Sequence, residues 1–146
     1  MRLEKGKVCM VMNDIILNKI MIIERCVNRV YEVYNDNPKN LANYTKQDSI
    51  VLNIQRACEA SIDLAMFTIS QNKLGVPKTS REAFQILYES EIINEELAYS
   101  LKTMVGFLNI AVHDYQSLDL DILEKIIEKH ISDFKDFTKI MIKLEK

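Results

Sequence analysis

The sequence predicts an all-α fold, an antiparallel up-down bundle with a four-helix core and one short additional helix. Three observations predict it. The 146 residues contain only three Gly and two Pro, too little turn chemistry for a β-sandwich or a doubly wound α/β domain. Apolar residues recur at steps of three and four through long stretches, the period of one helix face. Ser, Thr, Asn and Asp stand before several of those stretches, and Pro or Gly after them, where helices start and stop. The length suits one domain with its own core, and 48% apolar with 27% charged residues is an ordinary globular balance.

The elements follow in order. A first helix is expected from Asp14 to Tyr34, with the stripe Ile16, Ile20, Ile23, Val27, Val30 and Tyr34. Asn35-Asp36-Asn37-Pro38 ends it, because Pro cannot continue a helix and restricts the residue before it. Thr45 is expected to cap a second helix, Lys46 to Lys73, striped by Val51, Ile54, Cys58, Ile62, Ala65 and Ile69. Gly75-Val76-Pro77 breaks the chain, and Thr79-Ser80-Arg81-Glu82 is a capping box opening a short third helix through Tyr88. Asn94 caps a fourth, from Glu95 toward Val112. The last runs from Asp119 to about Leu144 on the stripe Leu123, Ile127, His130, Phe134, Phe137, Met141 and Leu144. No repeat or linker divides the chain. Residues 13–146 are expected to be one helical domain and residues 1–12 an N-terminal extension, since Met12 before Asn13-Asp14 serves equally well as a start.

Composition bounds function. The formal net charge of −2 lacks the basic excess that drives nucleic-acid affinity through counterion release, so any RNA contact must be local or built by an oligomer. Cys9, Cys26 and Cys58 are odd in number and widely spaced, which fits free thiols in a reducing, cytoplasmic setting. The apolar run near the N-terminus is broken within a few residues, too short for a signal peptide or a membrane span.

Chemistry concentrates in Met104-Val-Gly-Phe-Leu-Asn-Ile-Ala-Val-His-Asp-Tyr115, which holds one of only two His residues beside Asn109, Asp114 and Tyr115. An imidazole moves protons near neutral pH. By itself His113 reads first as a cation closing the negative end of the fourth helix.

That segment resembles the signature of HepT-like proteins of the HEPN superfamily, which read Arg-Asn, a short apolar run, then His-x-Tyr. Asn109, Ile110, Val112, His113 and Tyr115 stand in those places. The likeness continues through Ser49–Ala65, Leu74–Phe84 and Leu118–Phe137, covering roughly residues 13–144. The resemblance implies the toxin of a toxin–antitoxin system: a metal-independent endoribonuclease without cofactor, acting on RNA as a homodimer whose two copies line one cleft. It implies His113 as general base or acid at the ribose 2′-hydroxyl, Asn109 as an orienting group and Asp114 in support. It implies Tyr115 as the position where an MntA-like nucleotidyltransferase antitoxin adds adenylate, placing charge and bulk beside the cleft.

Leu108 departs from the pattern by standing where the family has Arg. A guanidinium supplies charge and fixed donors and Leu supplies neither; losing a comparable oxyanion donor costs about 10²–10³ in rate. Locally Leu108 fits, extending the stripe Leu101, Val105 and Val112. Two origins fit: a weakened or repurposed homologue, or a substitution that let a toxic protein be produced. The alternative function is a non-catalytic HEPN-type module binding nucleotide or protein, and beyond it a generic helical dimerisation domain. Glu59 and Asp63 share one face of the second helix near Arg56. They read as a solvated charge network or, alternatively, as carboxylates supporting the motif His. No His, Cys and carboxylate spacing marks a metal site. His130, inside an apolar stripe, reads as a buried or interfacial structural residue.

Overall fold

The computed structural model describes the backbone of residues 2–113 and 118–145, with side chains over 14–110 and 118–144. These residues form α1 (Arg2–Tyr34), a 3-10 turn (Pro38–Ala42), α2 (Tyr44–Gln71), α3 (Ser80–Glu89), α4 (Glu95–His113), α5 (Leu120–Lys125), a π turn (Ile126–His130) and α6 (Ile131–Glu145). No strand occurs among them, and no helix is long and apolar enough to cross a membrane. Leu120 to Glu145 is one continuous helical run interrupted by the π turn, so the expected last helix exists with a wider turn inside it.

α1 packs most extensively along α2 and also along α6, while α4 lies against α2, α3 and α6. All six residues of the first expected stripe are buried, Ile23, Val27 and Val30 completely. From α2 come Val51, Ile54, Cys58, Ala65 and Ile69, from α4 Leu101, Met104 and Val105, and from the last helical run Leu123, Ile127, Phe134, Phe137 and Met141. Phe84 and Phe137 meet edge to face with ring centroids 5.9 Å apart, tying α3 to α6. Leu144 ends its stripe exposed.

Boundaries differ from the sequence reading where caps compete. α1 begins at Arg2, not Asp14, because residues 2–12 are mostly good helix formers with no Pro to stop them; the side chains of the expected extension lie outside those described. α2 starts at Tyr44, and its N-cap is Asn43, whose Oδ1 accepts from the Lys46 amide at 3.1 Å, not Thr45. Asn outcompetes Thr because the chain is already extended at Asn43 on leaving the 3-10 turn.

Thr79 caps α3 as expected, its Oγ1 accepting from the Glu82 amide, and Asn94 Oδ1 accepts from the Leu97 amide at 2.8 Å. α2 and α3 both end in paired 6→1 and 5→2 hydrogen bonds, with Lys73 and Glu91 in left-handed conformation where Gly is usual. The reversal after α2 therefore comes at Lys73, two residues before Gly75. Asn35 and Asp36, also left-handed, turn the chain out of α1.

Candidate active site

α4 carries the chemistry-bearing segment, and its two faces differ. Leu101, Met104, Val105 and Leu108 recur at three and four residues and point into the bundle; the first three are buried and Leu108 is half-buried against the core. At position 108, then, the structure shows an apolar packing residue and no cation. Asn109 is exposed on the next position. His113 is the last helical residue of α4, and its side chain lies outside the described set. Asp114 and Tyr115 lie outside the described residues altogether.

The opposite face of α4 borders a cleft of about 420 Å³, closed on its far side by α5 and the π turn. Thr103, Gly106, Phe107 and Ile110 line it from α4, Ile122, Lys125 and His130 from across, and Arg81 from the first turn of α3. Gly106 leaves room for the end of the Arg81 side chain: a Cβ there would stand 2.8 Å from Arg81 Nη2, so the guanidinium lies where any other side chain would begin. Among the described residues Arg81 makes no ion pair. The carboxylate of Asp119, also on the rim, accepts from the Asp121 amide at 2.9 Å as the N-cap of α5.

His130 is fixed at the base of this cleft. Its Nδ1 lies 2.7 Å from the buried Ser100 Oγ and 3.3 Å from Asp133 Oδ2, while Ser100 Oγ donates to the same carboxylate oxygen. The imidazole is partly buried and also lines an open cleft. The π turn carries Glu128 as well, which accepts a 2.9 Å hydrogen bond from Tyr34 Oη at the end of α1. Burial first, then this hydrogen bond and the Glu128 charge, push the Tyr34 hydroxyl up to about 12.

The structure does not bring Glu59 and Asp63 to this cleft. Asp63 pairs with Lys19 of α1 at 3.0 Å, and Glu59 accepts from Gln55 on its own helix. Cys26 and Cys58 are buried free thiols. Burial, with Glu59 adding to it, pushes the Cys58 thiol up to about 12, the state of an inert packing residue. Among the described residues no three His, Cys, Asp or Glu side chains converge as a metal site would require.

Sequence reasoning misses Arg81, which registers only as the third residue of a capping box, and Ser100 with Asp133. Ser100 lies 30 residues from His130, so no local pattern joins them. The His130–Asp133 spacing of three is the available signal.

A family model for ribonuclease HepT-like proteins matches residues 16–141. The mRNA nuclease HepT of Shewanella oneidensis is 46% identical over 130 residues, covering 89% of this chain and 98% of that protein. The tri-AMPylated HEPN toxin of the same organism, solved in complex with an MNT antitoxin, superimposes with a TM-score of 0.85 at 45% identity, covering 89% of this chain and 98% of that one. At 16% identity, a cytosolic protein of unknown function from Bacillus subtilis, YutE, shares the fold with a TM-score of 0.77, covering 88% and 87% of the two chains.

Proposed function

The chain belongs to the ribonuclease HepT-like family, and from that premise we propose that it is the toxin of a toxin–antitoxin pair, an endoribonuclease held in check by adenylylation. The observation that carries this reading is near-complete coverage of a HepT nuclease at 46% identity, with Asn109, His113 and Tyr115 at the motif positions of the sequence.

In the proposed reaction His113 takes the proton of a ribose 2′-hydroxyl as that oxygen attacks the adjacent phosphate, then returns a proton to the departing 5′-oxygen. The exposed Asn109 is placed four residues before it, one turn back along α4, to orient the strand. No metal ion or cofactor is required for this sequence of steps. The protein acts as a homodimer, the motif residues of both copies facing one groove. Tyr115 accepts adenylate from an MntA-like nucleotidyltransferase, and the added phosphate repels RNA from the groove. Asp114 is the supporting carboxylate in this reading; Asp63 and Glu59, engaged with Lys19 and Gln55 respectively, support it only by their charge.

Leu108 attenuates the reaction in this proposal. Negative charge building on the phosphorane meets no guanidinium from α4, a loss of about 10²–10³ in rate. The same observation favours a second reading, a non-catalytic module that binds nucleotide or protein. Inducible expression of the chain, of Leu108→Arg and of Leu108→Arg with His113→Ala separates the two. The toxin reading expects growth arrest and RNA cleavage with Leu108→Arg, abolished by the added His113→Ala. Harmless Leu108→Arg with intact RNA would select the binding module. Incubation with the cognate nucleotidyltransferase and ATP, followed by intact-mass and peptide analysis, tests the switch; adenylate at a residue other than Tyr115, or none, removes it.

A further inference from the structure

The cleft between α3, α4 and α5 is not part of the motif, yet it lies in line with it. Gly106 and His113 are seven residues apart on α4, two turns and so nearly the same face, separated by about 10 Å along the axis. Ile110 stands between them on that face and lines the cleft. A strand entering the His113 end of α4 therefore continues into the cleft without crossing to another side of the bundle.

The lining has two chemistries. Ile110 and Ile122 both line it, 53% and 48% exposed, apolar surface open to solvent. Arg81 and Lys125 line the same cleft, both exposed, from α3 and α5 respectively. Among the described residues the carboxylate on the rim is that of Asp119, which is occupied as a helix cap. Two cations against that one carboxylate leave the lining with a net charge of +1, on a chain of net charge −2. Cations that track a phosphate backbone above apolar surface that receives bases are the pattern of single-stranded nucleic-acid grooves. Gly106 adds a geometric reason: it leaves the guanidinium lying on the surface of α4 itself, two turns from His113. An Arg held there presents a planar fork of donors matched to a phosphate.

We propose that this cleft is a subsite for single-stranded RNA flanking the scissile phosphate, with Arg81 as its principal phosphate contact and Lys125 as the second. In a chain whose α4 carries Leu at position 108, Arg81 and Lys125 are then the cations that this cleft brings to the substrate. His130, fixed by Ser100 and Asp133, closes the cleft at the end away from His113. The inference rests on the ribonuclease reading, which supplies the strand that enters at His113.

The test uses the full chain and two probes: a fluorescein-labelled 2′-O-methyl 12-mer, which lacks the attacking hydroxyl, and the RNA of the same sequence. Binding of the 2′-O-methyl strand is followed by fluorescence anisotropy across a salt series, with thermal melts confirming that each variant folds. Arg81→Glu with Lys125→Glu is expected to weaken binding at least about tenfold. It should also lower the magnitude of the log–log salt slope by about 1.4, near 0.7 for each phosphate that the protein no longer neutralises. Lys39→Glu, a charge reversal on the exposed 3-10 turn, is expected to change affinity less than about twofold. A loss of log affinity for Lys39→Glu at least half that of the cleft pair, matching its charge change of half the size, would reduce the effect to net charge and overturn the subsite.

Cleavage in the Leu108→Arg background distinguishes failure of the subsite from failure of the ribonuclease reading. His113-dependent cleavage whose KM ignores Arg81→Glu leaves the ribonuclease and sinks the subsite. No cleavage and no binding by any variant sinks both. If Arg81→Glu instead dissolves a homodimer, or a complex with the nucleotidyltransferase, while RNA affinity stays constant, the cleft is a protein interface and the proposal is wrong.

Discussion

The two faces of α4 obey different rules. The inner face, Leu101, Met104, Val105 and Leu108, is selected for shape: three of the four are at most 6% exposed, and the fourth packs on the same core. The cleft-side face holds Ser100, Thr103, Gly106, Phe107 and Ile110: two polar groups, of which Ser100 is buried, a bare backbone, a buried Phe and an exposed Ile. Packing explains every residue of the first set and not the second. An amphipathic helix needs only a polar outer face. This one borders a cleft, leaves room for a guanidinium at Gly106 and uses Ser100 to fix a histidine from another helix.

The comparison breaks most directly by truncation on the inner face. Met104 is fully buried, so Met104→Ala is expected to cost about 2–5 kcal/mol and lower the denaturant midpoint with little change in slope. Thr103, its neighbour on the cleft side, is exposed, and Thr103→Ala should shift stability by less than about 0.5 kcal/mol. Similar losses from both would show that the cleft-side face is also structural.

The wall facing α4 can be tested through Tyr34, which anchors the π turn by its hydrogen bond to Glu128. Hydrogen bonds to a charged group contribute about 1.5–3 kcal/mol, so Tyr34→Phe should destabilise by up to that amount near neutral pH. The pH dependence is more specific. A tyrosine hydroxyl ionises near 10 in the unfolded chain and at about 12 in the folded one. Its contribution is therefore whole below about pH 10 and is lost as pH climbs toward 12. Chemical denaturation between about pH 9 and 11 should show a shallower decline for Tyr34→Phe than for the parent. Parallel declines would mean that Cys58, pushed up in the same direction, dominates.

Much of this is legible in the sequence. Steps of three and four place the inner faces, because burial imposes a period that residue type records: Ile16 to Tyr34 is the plainest case. Thr79 and Asn94 are readable as caps because a side-chain oxygen three residues before a free amide is a local pattern. Asn43 is harder to choose over Thr45, since the choice turns on backbone geometry set by the preceding 3-10 turn. The π turn leaves no mark in residue type: Ile126 and Ile131, both buried, stand three and four residues from Leu123 and Ile127, as they would on an unbroken helix. The site divides the same way. The motif on α4 is contiguous and readable. Arg81 over Gly106, and Ser100 with His130, join elements far apart in the chain through tertiary packing, for which a single sequence has no period.

A cap tests whether the start of α4 carries its far end. Asn94 accepts from the Leu97 amide, and Asn94→Ala is expected to cost about 1 kcal/mol. Thermal denaturation should register that cost. The RNA affinity of the folded protein should stay constant, because Asn94 lies more than about four turns from His113. Loss of affinity at full folding would mean that the register of α4, and with it the division of its faces, depends on the cap.

Gly106 offers the finest discrimination, because packing and function predict opposite signs there. Ala is favoured over Gly in a helix interior by about 0.8–1.0 kcal/mol. The new Cβ would meet Arg81 Nη2 at 2.8 Å, but that atom is the free end of a flexible, exposed side chain and can move away. Gly106→Ala should therefore raise the melting midpoint, by an amount corresponding to about 0.5–1 kcal/mol. It should also lift the guanidinium off α4 and weaken binding of the 2′-O-methyl strand. A variant that is both more stable and equally tight would show that the position of Arg81 is incidental. One that is less stable would show that the contact between α3 and α4 is part of the core after all.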